Sequence, residues 1–321
     1  MLNRRHIRIK VLQAIYAAIQ SDNTDVTLGQ KQLMQKLDKI YDLAIYQLSV
    51  SLEVRDYALY RIEEAKKKHL PTQEELSPNV RFVENSFLKK LEENIDYQNK
   101  AEKLAVNWVN ESEMIRKMYL SFVETEAYQK YMSHTDVSFK ADKDIVMALY
   151  HEVVFPNENL HAIFSEMNLS WSDDYNLSSE IVFMMISSYK AGWNENKPLP
   201  PLFKDDDKLV GASQDRAFAK DLFRLVLVNR ERFDELITSK IQNWEIERLA
   251  TIDRILIQMA LAEVLEMPTI PIKVSLNEYI ELSKYFSTPK SKIFINGILD
   301  NLVVELKTQG LINKQGRGLM S

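Results

Sequence analysis

The 321-residue chain contains no cysteine. That excludes a disulfide framework, a thiolate metal site and a cysteine nucleophile. Glycine and proline are scarce, at 7 and 9 residues. With the long charged amphipathic runs, this argues for helices over a loop-rich β fold. No apolar run reaches the roughly 18 residues that a membrane span needs, and the N-terminus is charged where a signal peptide has its apolar core. A cytoplasmic protein is the expectation. The five histidines, His6, His69, His134, His151 and His161, show no metal-ligand spacing. His151-Glu152 opens a zinc-protease-like pattern, but Phe155 stands where the second histidine is needed. No glycine-rich loop follows a strand, so no nucleotide or S-adenosylmethionine fold is indicated. The expectation is therefore no catalytic residue, no metal and no cofactor. The net charge of −5 gives no global attraction to nucleic acid, so any such contact must use a local patch.

One such patch opens the chain. Residues 1–20 hold Arg4, Arg5, Arg8, Lys10 and His6, and no acid. Ile7, Val11 and Ile15, with Ala18 and Ile19, recur at helical spacing and predict a helix laid on a core. Arg4 and Arg8 share a face, with Arg5 beside them. Cations at a helix N-terminus oppose the macrodipole by about 0.3–1 kcal/mol each, so stability alone does not explain them. Phosphate binding does, through the guanidinium fork and the free N–H groups of the helix start. The plainer alternative is a solvated face with a few ion pairs.

At the other end, Lys273 to Val303 reads as two amphipathic helices joined by a basic turn. Val274, Leu276, Tyr279, Ile280, Leu282 and Phe286 form the apolar face of the first, leaving Glu278, Glu281 and Lys284 toward water. Tyr285 is a candidate base-stacking aromatic or a core residue. Ser287-Thr288-Pro289 ends that helix and starts the next, with Pro289 suited to the first helical position. Ile293, Phe294, Ile298, Leu299, Leu302, Val303 and Leu306 line the second helix. Gly297 inside it costs about 1 kcal/mol against alanine, which points to close helix–helix approach. Gly310 suits a C-cap.

These residues resemble the NusB family of transcription antitermination factors. Its last helices typically read V-x-I/L-N-E-x-I/V-E-L-A-K-x-F, a short loop, then K-F-V-N-G-V/I-L-D. Here stand Val274, Leu276, Asn277, Glu278, Ile280, Glu281, Leu282, Ser283, Lys284 and Phe286. Phe294, Ile295, Asn296, Gly297, Ile298, Leu299 and Asp300 follow without a gap. Ile252-Asp253-Arg254-Ile255-Leu256 with Glu263-Val264-Leu265 resembles the preceding helix. Arg4-Arg5-x-x-Arg8 with Leu12-Gln13-Ala14-Ile15-Tyr16 resembles the Arg-rich first helix. The resemblance covers roughly 1–20 and 215–310. It implies an all-α, NusB-like helical bundle that binds single-stranded boxA-type RNA of ribosomal leader transcripts. It further implies a small-subunit ribosomal protein acting as NusE as partner, and a place in the RNA polymerase antitermination complex. Arg4, Arg5 and Arg8 fall on the family's RNA-contacting arginines, Tyr16 on an aromatic of core character, and Thr288 to Lys292 on a loop near the RNA. That loop usually carries acids in the family and here carries Pro289, Lys290 and Lys292. The family lysine before the phenylalanine is Ile293. Arg4, Arg5, Arg8, Lys10, Lys290 and Lys292 are thus the expected phosphate contacts, and the Asp253–Arg254 face the expected partner contact. The alternative is a helical protein-binding scaffold without its own RNA site.

The expected organisation is a NusB-like domain of 1–22 plus 213–310, inserted helices over 23–212, and a flexible tail over 311–321. Leu28 to His69 reads as one or two long helices, with Leu33, Leu37, Ile40, Tyr41, Ala44, Leu48 and Leu52 near heptad spacing. Lys66-Lys67-Lys68 reads as a solvated C-terminal cap. Helices are predicted near Phe82–Asp96 and Glu111–Met132. Met184, Met185 and Trp193 read as packing residues rather than a cofactor box. Glu195 to Asp215 is the clearest linker, its Asp205–Asp207 run reading as solvated acids rather than a cation site. Shifting the sequence by 73 residues sets Leu149 on Leu222, Val153 on Val226, Trp171 on Trp244 and Asp174 on Glu247. A degenerate duplicate unit at 143–190 is one reading of this register and chance matching of helix pairs the other, with duplication preferred.

Overall fold

A computed structural model of the chain describes residues 2–22, 25–135, 137–203, 214–241 and 249–319. Among these no strand occurs, and the architecture is all-helical. In chain order the helices are α1 (Arg4–Gln20), α2 (Val26–Lys66), α3 (Gln73–Leu76), α4 (Ser86–Glu92), α5 (Ile95–Lys103), α6 (Ser112–Val123), α7 (Glu126–Ser133), α8 (Phe139–Leu149), α9 (Glu158–Met167), α10 (Leu169–Ser188), α11 (Gln214–Val228), α12 (Arg230–Thr238), α13 (Thr251–Glu266), α14 (Ile272–Phe286) and α15 (Pro289–Thr308). Contacts divide the chain into a terminal unit, residues 2–37 with 203–321, and a central unit, residues 38–202.

The terminal unit is built around α13. Its run from Ile255 to Val264 is buried on every side, and α1, α11, α12, α14 and α15 all pack on it. The α1 helix starts where the Asn3 side chain accepts from the His6 N–H at 3.0 Å, an N-cap that satisfies one of the orphan donors. Its stripe Ile7, Val11 and Ile15 is fully buried. Gly29, near the start of α2, sits so close to Phe223 of α11 that an added Cβ would lie 2.4 Å from a ring carbon. The turn between α14 and α15 has the expected chemistry: Thr288 accepts from the Ser291 N–H at 3.2 Å and Pro289 opens α15. Gly310 ends it at φ +68°, a left-handed cap position. Beyond it, Lys314 Nζ donates to the carbonyls of Glu263 and Met267 at 2.9 and 3.0 Å. The Gln315 N–H donates to Pro268 O at 3.0 Å. The close approach expected at Gly297 is not there: no atom lies within 4 Å of an added Cβ, and the residue faces outward.

The 28–69 periodicity belongs to one uninterrupted helix, α2, whose Ile40, Ala44 and Leu48 lie in the core of the central unit. Two predicted long helices are each broken in two. Asn94 caps α5 by accepting from Tyr97 N–H at 2.9 Å, and Thr125 caps α7 by accepting from Tyr128 N–H at 3.2 Å. Each side chain offers the backbone an alternative to continuing the helix. Tyr46, Trp108, Phe164 and Trp171 form a buried edge-to-face cluster, ring centres 5.6–6.4 Å apart. Met185 is buried, and Trp193 packs on Tyr189 with ring centres 4.9 Å apart and planes tilted by 50°. The two segments of the 73-residue register share an order of elements. Helices α8 and α9 pack on α10, as α11 and α12 pack on α13. Trp244, Glu247 and Asp205–Asp207 lie outside the described residues.

Candidate nucleic-acid interface

The starts of α1, α14 and α15 carry no acid in their first turn. The neighbouring α11, α12 and α13 have Asp215, Glu231 and Asp253 there. The first group leaves the positive end of the macrodipole uncompensated. The starts of α1 and α14 meet at an open cavity of about 550 Å³. Arg4, Arg5 and Arg8 line one side of it, and Pro271, Val274 and Glu278 line the other.

The three arginines are not equivalent. The Arg4 side chain is 40% exposed. Its Nε donates to Asp215 Oδ1 at 3.1 Å, and its Cζ lies 5.0 Å from the Phe218 ring centre. Arg5 is 43% exposed and grips Glu278 with two bonds of 2.9 and 2.8 Å. Those hydrogen bonds, ahead of any other influence, hold the Glu278 carboxyl below its ordinary range. Both guanidinium groups keep unspent N–H donors, since arginine has five.

Arg8 is 2% exposed. It donates to both oxygens of the wholly buried Glu263, at 2.6 and 2.9 Å. The same carboxylate accepts from Ser275 Oγ at 2.8 Å and from Tyr279 Oη at 2.6 Å. Burial, then the charge of Glu263, pushes the Tyr279 phenol well above its ordinary range, so it stays a donor. The cluster ties α1, α13 and α14 together. Lys10 is 5% exposed. The expectation that Arg8 and Lys10 meet phosphate is therefore corrected: both are enclosed, and the Arg8 fork is occupied by a carboxylate with four donors.

Lys290 is exposed and Lys292 half-buried, both in the first turn of α15. Neither lines the cavity by the arginines; they stand at the opposite end of α14. Of the expected partner face, Asp253 is enclosed, while Arg254 keeps its side chain 24% exposed. Asp253 is 4% exposed and accepts from the Ser287 hydroxyl. Arg254 forks onto Asp234, with its Nε bond at 2.7 Å, and Gln258 joins the same carboxylate at 2.7 Å. Both side chains lock α13 to its neighbours. Tyr16, expected in the core, is 39% exposed.

Sequence reasoning missed Glu278, read as a solvated acid, and Glu263. Glu263 did leave a signal: it stands within the apolar run of α13, and a buried carboxylate needs a cation. Tyr285, whose role was open between core and surface, is 75% exposed.

The described residues form an all-helical protein in which Arg4 and Arg5 border an open cavity at the starts of α1 and α14. The family model described as "NusB family" matches residues 180–304, a stretch that includes Glu263, Glu278, Tyr285, Lys290 and Lys292 but not the arginines of α1. Three relatives are each named transcription antitermination protein NusB. The protein of Salinibacter ruber is 48% identical over 105 residues, 33% of this chain and 66% of its own. That of Chloroherpeton thalassium is 40% identical over 114 residues, 36% of this chain and 54% of its own. That of Geobacter sulfurreducens is 40% identical over 134 residues, 42% of this chain and 96% of its own. The chain thus spans less than two thirds of the first two relatives and nearly all of the third. It belongs to the NusB family. No solved structure matches it.

Proposed function

We propose that the chain is an RNA-binding transcription antitermination factor. It acts on boxA-type ribosomal leader RNA together with a small-subunit ribosomal protein in the NusE role, within an RNA polymerase antitermination complex, and catalyses nothing. The cytoplasm is the compartment such a role requires; no helix among the described residues is long and apolar enough to cross a membrane. The observation that carries the reading is the pairing of Arg4 and Arg5, each about two-fifths exposed, with the acid-free starts of α1 and α14 on one open cavity. Guanidinium forks and free backbone N–H groups are what phosphate oxygens seek. Lys290 and Lys292 add charge at the far end of α14. Arg8 serves as a positioning residue that holds α1 in place.

A helical scaffold without an RNA site is the second reading, and one observation favours it: each of the three arginines meets a carboxylate. A double substitution separates the two. Arg4→Ala with Arg5→Ala should weaken binding of single-stranded boxA-type RNA at moderate salt by about tenfold or more, with helicity and melting temperature nearly unchanged. Unchanged affinity would favour the scaffold.

A further inference from the structure

Tyr285 is the most exposed aromatic ring among the described residues, at 75%. It stands on the last turn of α14, one residue after Lys284 and shortly before the basic start of α15. Eight residues on, Ile293 is 76% exposed. Arg5 of α1 is bonded to Glu278, about two turns before Tyr285 on α14. Glu281, one turn before Tyr285, is ion-paired with Lys284. Arg5, Lys284, Tyr285 and Lys292 thus lie in succession along α14 and the turn that follows it, in the terminal unit.

Folding gains little from a ring left three-quarters in water. The other side chains of α14 that point outward are polar or small, apart from Val274 at 44% exposure. Phosphate neutralisation needs no aromatic. What combines an exposed ring with flanking cations is the recognition of single strands, in which unstacked bases lie on aromatic faces while basic groups follow the backbone. A protein partner seated here would meet a surface dominated by charge, whereas the centre of a protein interface is poor in charged residues.

We propose that Tyr285 is the base-stacking platform of this surface, seating one unpaired base of a single-stranded RNA whose phosphates are held by Arg5, Lys284 and Lys292. The assignment rests on the RNA-binding reading above. It adds the residue that senses the presence of a base, where the cations sense only phosphate.

The test measures binding of a short, end-labelled single-stranded RNA to the full chain by fluorescence anisotropy over a range of salt. Tyr285→Ala should weaken binding about tenfold, within the range for loss of one stacked base, at every salt concentration, leaving the slope of log affinity against log salt unchanged. Tyr285→Phe should bind within about twofold of the unsubstituted chain, since stacking needs the ring and not the hydroxyl. Arg5→Ala should lower the slope by about one contact's worth. If Tyr285→Ala binds as tightly as the unsubstituted chain while Arg5→Ala is weakened, the stacking role is wrong and the RNA-binding reading survives. If Tyr285→Phe falls as far as Tyr285→Ala, the hydroxyl is the contact and the stacking role is again wrong. If the unsubstituted chain shows no salt-dependent binding, both readings fall together. Ring exposure keeps the variants foldable, which unchanged thermal melts would verify.

Discussion

Arg4, Arg5 and Arg8 arise from one sequence pattern and have three different environments. Their spacing on α1 was legible in the sequence; the burial of Arg8 was not. Its counter-ion, Glu263, is 255 residues away, and helical periodicity carries no information about that distance. Truncating Arg8 would leave a fully buried carboxylate without its cation. Arg8→Ala should cost about 3–5 kcal/mol, as is usual when one partner of a buried pair is removed. Urea denaturation would measure it, and a loss under about 1 kcal/mol would contradict the anchoring role. Glu278 has the opposite position. It competes with phosphate for Arg5, and its side chain is 19% exposed. Glu278→Gln should release Arg5 and tighten RNA binding by up to about fivefold, the strength of a partly exposed ion pair. Weaker binding after this change would show that Glu278 orients Arg5 instead of restraining it.

At the scale of elements, the sequence was most informative where pattern and capping agreed. The boundary between α14 and α15 was readable because Thr288 and Pro289 stand in the positions that helix starts prefer. Asn94 and Thr125 were overlooked because a cap in the middle of an apolar periodicity is outweighed by the pattern around it. Gly297 misled by the same logic in reverse: its cost implied a packing reason, and it lies on an open face. The segment after α15 is held by Lys314, which caps the carbonyl end of α13. Burial, only partly offset by Glu263, lowers its ammonium from an ordinary 10.5 to about 8. The folded state therefore releases this proton before the unfolded state does. The charged form is disfavoured in the fold at neutral pH, and that penalty is relieved as pH rises from about 8 toward 10.5. Stability of the unsubstituted chain relative to Lys314→Met should rise across this window and be flat below it. A difference that falls or stays level through the window would mean that Lys314 is not desolvated.

At the scale of the molecule, the all-helical class followed from composition and periodicity, and family membership from four short blocks of residues. The surface was harder to read. A net charge of −5 does not say where the cations lie, and which of them face outward is settled by packing against α11, α13 and α14, not by local pattern. Of six expected phosphate contacts, Arg4, Arg5, Lys290 and Lys292 are at least partly accessible, while Arg8 and Lys10 are enclosed. The most direct measurement is the salt dependence of single-stranded boxA-type RNA binding, for the unsubstituted chain and for Arg4→Ala with Arg5→Ala. Five phosphate contacts, those four and Lys284, correspond to a log–log slope of about −3.5, at roughly −0.7 per contact for single strands, and removal of two should bring it to about −2. A slope near zero, or one that the double substitution leaves unmoved, would contradict phosphate recognition by these residues.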